Sequence, residues 1–174
     1  MKLTMSFFMI PVVLNLASCA IESRQLKTLQ TLLFDEQQTS SVSNWKATFS
    51  GYRASLQPLV GEGNMLFVNT QSDFIEFDGW SIRQVSGFQH FEKSISITDI
   101  DDERRFTLGN NIVAVHYCNA WIKREVDAGV SFAQQCVGTE TYTNSILVDN
   151  LGRIVHIRQR IDGSANTLHL SLSN

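Results

Sequence analysis

Residues 73–85 have the sequence DFIEFDGWSIRQV, in which apolar residues flank the pair Asp78-Gly79. Asp-Gly between two alternating apolar runs favours a two-residue type I′ turn, because both central positions need a positive φ. The flanking runs therefore predict two antiparallel strands that pair with each other. Their apolar residues are Phe74, Ile75 and Phe77 before the turn, and Trp80, Ile82 and Val85 after it.

The same two-residue period continues on both sides of this hairpin. WKATFSGY (45–52), NMLFVNT (64–70) and NTLHLSLS (166–173) are extended runs, and the first and last alternate apolar and polar residues. Turn signals separate such runs, at Asn110-Asn111 and across 149–153 among others. Short alternating strands with frequent turns are typical of all-β folds. We therefore predict a mainly β domain, an antiparallel sheet that closes as a barrel or curves as a half-barrel.

The first eighteen residues have the pattern of a secretory signal peptide. Met1 and Lys2 form a short, positively charged start, and the uncharged stretch LTMSFFMIPVVLNL follows. This stretch is shorter than the roughly 20 residues that a membrane-spanning helix needs. The small residues Ala17 and Ser18 then lead directly to Cys19.

The tetrapeptide Leu16-Ala17-Ser18-Cys19 resembles the bacterial lipobox. That resemblance implies cleavage before Cys19 and acyl chains on its thiol and its amine, and two or more chains give stable membrane anchoring. A signal peptide with an incidental cysteine is the alternative. Ala20 follows, where an Asp would favour the inner membrane in enteric-type bacteria. The resemblance thus implies an outer-membrane protein that is lipid-anchored through Cys19, with its body facing the periplasm.

The sequence divides into three parts on this interpretation. Residues 1–18 are a lipoprotein signal peptide, 19–44 a lipidated N-terminus, and 45–174 a single β-rich domain. Residues 21–34 have helical apolar spacing, which predicts one short amphipathic helix before a polar tether. The apolar side of that helix would pack on the domain or rest on the bilayer surface.

Composition and charge narrow the classes of partner. The chain has 14 Lys and Arg against 17 Asp and Glu, a formal net charge of −3 at pH 7. This mild acidity gives no reason to expect binding to nucleic acid.

Two cysteines remain once Cys19 is assigned to lipid. Cys118 and Cys136 would lie in an oxidising compartment, where a disulfide is expected. Two buried free thiols or a metal-binding pair are the alternatives. A metal site usually has more Cys or His at short spacing, such as C-x-x-C, and the sequence has no such motif.

A search for catalytic and metal-binding patterns finds no strong one. His90, His116, His156 and His169 are scattered, and none has a Cys, Asp or His at ligand spacing. The run TDIDDER, 98–104, lacks the spacing of a calcium loop, and Arg104 and Arg105 directly follow its carboxylates, so we expect a solvated turn. The tryptophans are expected mainly in the core, although exposed rings can stack on sugars. The sequence therefore predicts no enzyme, no cofactor, no metal site and no catalytic residue.

The segment TNSILVDNLGRIVHIRQRI, 143–161, resembles the C-terminal part of the YjbF/GfcB-type lipoproteins that are encoded with capsule and exopolysaccharide secretion genes. Residues 65–88 are likewise similar to the central hairpin of that family. The resemblance covers most of residues 25–172 and carries no catalytic residue. The positions that match the family pattern are Val148, Asp149, Gly152, Arg158 and Gln159.

This resemblance implies a non-enzymatic accessory in the formation or export of an extracellular or capsular polysaccharide. The implied partner is an outer-membrane β-barrel of a polysaccharide secretion system. The alternative is a periplasmic carrier or receptor that binds lipid or lipoprotein chains in a half-barrel cavity. An apolar cavity would favour the carrier, and a filled core would oppose it.

Overall fold

The computed structural model describes residues 44–61, 63–88 and 91–173. Within these ranges, thirteen strands form one antiparallel sheet. The strands are β1 Trp45–Phe49, β2 Tyr52–Val60, β3 Met65–Val68, β4 Phe74–Phe77, β5 Ile82–Gly87, β6 Phe91–Ile100, β7 Glu103–Leu108, β8 Asn111–Cys118, β9 Ile122–Val126, β10 Gly129–Val137, β11 Thr141–Val148, β12 Ile154–Arg160 and β13 Thr167–Leu172.

The sheet closes on itself. Its order is β11-β12-β13-β1-β2-β3-β4-β5-β6-β7-β8-β10, and β10 pairs again with β11. Twelve strands thus form an antiparallel barrel, which confirms the predicted fold class and selects the closed form over the half-barrel. The proposed short helix, the signal peptide and Cys19 lie outside the described residues.

Strand β9 is not one of the twelve barrel strands. One edge of β10 pairs with β9 along its first half and with β8 near its end. Residues Gly129 to Ala133 of β10 pair with β9. Farther along, Cys136 and Val137 pair with Cys118 and Tyr117 of β8. Among the described strands, β9 therefore contacts β10 alone and extends from the barrel wall as a short flap.

The barrel interior is filled by side chains. Alternate residues of the barrel strands point inward, as in β1, where Trp45, Ala47 and Phe49 are buried, whereas every side chain of β9 is exposed. Large rings contact one another inside the barrel, and the ring centroids of Trp45 and Phe67 lie 5.0 Å apart. Burial of such apolar area contributes about 25 cal/mol per Å² and is the main stabilising term. Other side chains with no exposed area include Phe77, Phe88, Phe106, Ile75, Ile157 and Leu168.

The hairpin at Asp78-Gly79 exists, but the predicted type I′ turn is wrong. Phe77 pairs with Ile82, so four residues connect β4 and β5. Only Gly79 of the central pair has a positive φ, at 97°. The carboxylate of Asp78 accepts hydrogen bonds from the backbone N–H groups of Trp80 and Ser81, and this local cap stabilises a wider turn.

Two other turns lie close to their predicted positions. The connection between β7 and β8 is Gly109-Asn110, one residue before the expected pair, and Gly109 has a φ of 62°. The acidic run 98–104 contains the turn Asp101-Asp102, as expected, but its outer residues continue the strands β6 and β7. Among the described residues, no helix has the length and apolarity required to cross a membrane.

We call the barrel end that holds the first residue of β1 the proximal end. Because consecutive strands are antiparallel, the β4–β5 and β6–β7 turns also lie at this end. The β12–β13 loop lies at the opposite, distal end.

Candidate functional site

The side chain of Arg104 is fully buried inside the barrel. On β7 it alternates with buried Phe106, so it occupies an inward position that normally carries an apolar residue. Removing a guanidinium from water costs several kcal/mol, and the cost is recovered only through charged or hydrogen-bonding partners. The residues that surround Arg104 must therefore compensate for the cost of burying its charge.

Three polar groups contact the Arg104 guanidinium. Asp99 lies directly opposite on β6, with Oδ1 3.2 Å from Nη1. Ser81 Oγ lies 3.3 Å from Nη1, and Gln159 Oε1 lies 3.2 Å from Nη2. Within the described residues, Nε has no hydrogen-bond partner. Burial lowers the pKa of Arg104, and the charge of Asp99 opposes this shift.

Gln159 connects the opposite wall of the barrel to the β4–β5 turn. From β12, its Oε1 accepts hydrogen bonds from the Ile82 backbone N–H at 3.0 Å and from Arg104. Its Nε2 donates to the Trp80 carbonyl at 2.6 Å. A glutamine has one acceptor and one donor group, and Gln159 uses both across the interior.

A second layer of charge lies between Arg104 and solvent. Asp99 Oδ2 accepts hydrogen bonds from Ser81 Oγ at 2.7 Å and from Arg83 Nη1 at 3.1 Å. Arg83 also pairs with Asp78. The side chains of Asp78, Arg83 and Asp99 are one quarter to one third exposed. We call the whole set the arginine network; its members are Asp78, Ser81, Arg83, Asp99, Arg104 and Gln159.

Three aromatic rings lie beside this network. The ring of Trp80 packs edge-to-face on Phe132 at 5.2 Å and lies 5.7 Å from the ring of Trp121. All three rings pack against the core and retain partial exposure. We call them the aromatic cluster. Because the Trp80 carbonyl accepts a hydrogen bond from Gln159, the arginine network fixes the backbone of Trp80, the ring that contacts the other two.

The combination defines a candidate binding site at the proximal end. Partly exposed aromatic faces attract flat, weakly polar surfaces and C–H groups. Next to them, the arginine network presents carboxylate acceptors and guanidinium donors that can bind hydroxyl groups. A sugar ring has both kinds of surface, with C–H groups on its faces and hydroxyl groups at its edge.

A second buried polar cluster is centred on Arg160. Its guanidinium lies 4.0 Å from the centroid of the Tyr142 ring, and Nη2 donates to Glu140 at 2.6 Å. The hydroxyl of Tyr142 is 3.0 Å from Nδ1 of buried His116. Burial lowers the pKa of His116, and Arg160 and Arg104 add to that shift. Burial also raises the pKa of Tyr142, so both rings are neutral at pH 7 and form an uncharged pair.

The structure contains the expected disulfide. Cys118 and Cys136 are directly opposite each other on β8 and β10, and their sulfur atoms are 2.06 Å apart. Beside it, the amide of buried Asn144 donates to Gln134 at 3.2 Å. The link therefore fixes the place where β8 joins the barrel wall.

The four histidines and the acidic run 98–104 do not form a common cluster among the described residues. His90 lies outside the described residues, His116 is in the core, and the rings of His156 and His169 are 6.0 Å apart. Among the residues that the structure describes, no group of three or more His, Cys, Asp or Glu side chains could hold a metal ion. Part of the run 98–104 is not solvated, because Asp99 belongs to the arginine network. Sequence reasoning expected the run as a whole to be a solvated turn.

The arginine network also explains one position of the family resemblance. Gln159 is a member of the network, whereas Arg158 is exposed on the outer face. Asp149 caps the β11–β12 turn by accepting from the backbone N–H groups of Leu151 and Arg153. Sequence reasoning missed Arg104, although its alternation with Phe106 was a signal that it points inward.

Comparison with known proteins adds a likeness of fold. No protein-family model matches the chain, and no curated protein matches its sequence. A solved structure, that of the hypothetical lipoprotein YmcC from Escherichia coli K12, superposes with a TM-score of 0.54 at 11% sequence identity. The match covers 86% of this chain and 96% of that protein. The chain therefore shares the fold of that lipoprotein over nearly its whole length.

Proposed function

We propose that this protein is an outer-membrane lipoprotein that assists the formation or export of an extracellular or capsular polysaccharide without catalysing a reaction. Acyl chains on Cys19 hold it at the membrane, with its body facing the periplasm. It binds the glycan through the aromatic cluster and the arginine network. Its protein partner is an outer-membrane β-barrel of the secretion system.

Two observations support the lipoprotein part of the proposal. Leu16 to Cys19 resembles a lipobox directly after an apolar stretch of signal-peptide length. The fold is that of the hypothetical lipoprotein YmcC. Anchoring would raise the effective concentration of the barrel near membrane partners, so weak contacts would suffice.

The aromatic cluster beside the arginine network is the observation that carries the glycan part. A buried arginine and a buried glutamine are expensive to maintain inside a small barrel. Here they fix Trp80, whose ring stays partly exposed. A rigid, partly exposed ring next to charged hydrogen-bonding groups provides stacking and hydroxyl recognition without a catalytic group.

The filled interior favours this function over the lipid carrier. Large rings such as Phe67, Phe77 and Phe106 occupy the middle of the barrel with no exposed area. A carrier of acyl chains needs an apolar space there that is comparable in size with its ligand.

Glycan binding can be tested with the Trp80→Ala variant. Polysaccharide purified from the producing bacterium is titrated into parent and variant, and the heat of binding is measured. We expect Trp80→Ala to weaken binding by roughly tenfold, equivalent to about 1.4 kcal/mol. Tyr117→Ala removes an exposed ring elsewhere on the barrel and serves as the matched control. Equal affinity of Trp80→Ala and parent would refute the site.

The anchor is tested separately. Cells that express the parent or Cys19→Ser are fed a labelled fatty acid, and the membranes are fractionated. The parent should carry the label in the outer-membrane fraction, and Cys19→Ser should not. Label on the variant, or an unlabelled parent, would contradict the lipoprotein assignment.

A further inference from the structure

The outer face of four neighbouring strands, β12, β13, β1 and β2, is polar and basic. The sequences of these strands contain no Asp or Glu. Three of their outward residues are exposed cations, Lys46, Arg53 and Arg158. The chain as a whole is mildly acidic, so this concentration of positive charge is local. We call the outward residues of these strands the basic face.

Strand register arranges the basic face in two parallel rows. Each row crosses all four strands and places cations or histidines among hydroxyl groups. The first row is Arg158, His169, Thr48 and Arg53. The second row is His156, Ser171, Lys46 and Ser55. Neighbouring strands are about 4.8 Å apart, so each row extends for roughly 14 Å.

The three cations lack acidic partners within the described part of the chain. Other cations of the barrel, such as Arg83, Arg153 and Arg160, form ion pairs. Lys46, Arg53 and Arg158 form none with a described residue. Within the described residues, therefore, no acidic side chain competes with an external anion for these three cations.

The centre of the basic face is held in place by two histidines. The rings of His156 and His169 contact each other and are partly buried. Burial lowers the pKa of both, and the charge of Arg158 adds to the shift. At pH 7 the positive charge of the face thus comes from its lysine and two arginines, while the neutral rings offer hydrogen-bonding nitrogens.

We propose that the basic face binds a linear acidic glycan through its charged groups. The choice of a glycan rests on the proposed function, whereas the requirement for an anion rests on charge complementarity alone. A polymer with repeated negative charges can bind several cations of the two rows at once, and such multivalent contacts reinforce one another. The serine and threonine side chains between the cations can hydrogen-bond to sugar hydroxyls.

The composition of the face favours a glycan over an anionic membrane. Surfaces that lie on a bilayer combine basic residues with exposed apolar side chains that enter the acyl region. Within the two rows every side chain is cationic, hydroxylated or a histidine. The two rows can therefore attract charge but have no apolar group to insert, and the exposed Leu59 lies near the end of β2, outside both rows.

The test uses the full mature chain with Cys19→Ser, a soluble form that changes no described residue. The probe is polygalacturonate, a linear carboxylated polymer, and affinity is measured by calorimetry at low and at high salt. Three forms are compared. They are this chain, the triple variant Lys46→Ser, Arg53→Ser, Arg158→Ser, and a control triple variant Lys93→Ser, Lys123→Ser, Arg124→Ser, which removes the same charge from exposed positions elsewhere.

We expect the first triple variant to bind polygalacturonate roughly tenfold or more weakly, and salt to weaken binding of the unaltered face. The control should bind as the unaltered face does. If both triple variants lose the same affinity for polygalacturonate, the effect comes from net charge alone and the proposal is overturned. The proposal would also be overturned if the protein binds phosphatidylglycerol vesicles through the three cations and does not bind polygalacturonate.

Trp80→Ala separates this proposal from the proposed function. If Trp80→Ala retains polygalacturonate affinity and the first triple variant loses it, the basic face is supported whatever the aromatic cluster binds. If only Trp80→Ala loses affinity, the basic face is refuted and the aromatic cluster stands.

Discussion

Replacing Gln159 with leucine should destabilise the barrel severely, because it breaks the link across the interior. The change nearly preserves volume but leaves three groups without their partner: the Ile82 N–H, the Trp80 carbonyl and the Arg104 guanidinium. A buried polar group that loses its partner costs roughly 1–3 kcal/mol, so the expected total for the three groups is about 3–9 kcal/mol. Domains of this size are stable by about 5–15 kcal/mol, so the loss is large.

Urea unfolding followed by tryptophan fluorescence measures this loss. The matched control is Gln57→Leu, at an exposed position of β2, where we expect a change within about 0.5 kcal/mol. If Gln159→Leu lowers the free energy of unfolding by less than about 1 kcal/mol at an unchanged denaturant slope, the three groups find other partners. The arginine network would then not hold the Trp80 turn, and the rationale for the candidate site would fail.

Three further outcomes are expected. Replacing Cys118 and Cys136 together with serine should lower the free energy of unfolding by roughly 3 kcal/mol in urea titrations, since the link closes a short loop; an unchanged midpoint would contradict this. Because burial lowers the pKa of His116, the unfolded chain takes up protons first, and stability should fall as the pH drops below about 6.5; a stability that is flat or rising from pH 7 to pH 5 would count against this. Gly129→Ala should lower the melting temperature far more than Gly51→Ala, because a Cβ at Gly129 collides with the Val148 carbonyl whereas none obstructs Gly51; equal shifts would be inconsistent with that packing.

The sequence predicted the sheet because its period of two is a local property. Phe74 to Val85 alternate strongly enough that the hairpin could be placed without any tertiary information. The turn type could not be predicted in this way. Asp78 is compatible with a positive φ, but its carboxylate instead caps Trp80 and Ser81, and that choice depends on Arg83 and Asp99 nearby.

Most of the candidate site could not be predicted from the sequence, because its members come from strands that are far apart along the chain. Arg104, Gln159 and Trp80 meet only when β12 lies across from β5 and β7. A charged residue in a strand is usually exposed, so the charge of Arg104 gave no sign of its buried position. Barrel closure through β10 and β11, and the separation of β9, likewise depend on register, which local patterns do not specify.

The flap strand β9 limits how these molecules can associate with one another. A closed sheet has no open edge, but the backbone of β9 opposite β10 offers one to a neighbouring copy. At high local concentration, such an edge favours strand-by-strand pairing between copies. All five side chains of β9 are exposed, and three of them are the charged residues Lys123, Arg124 and Glu125. A short edge that carries this much charge disfavours pairing with the edge of a second copy.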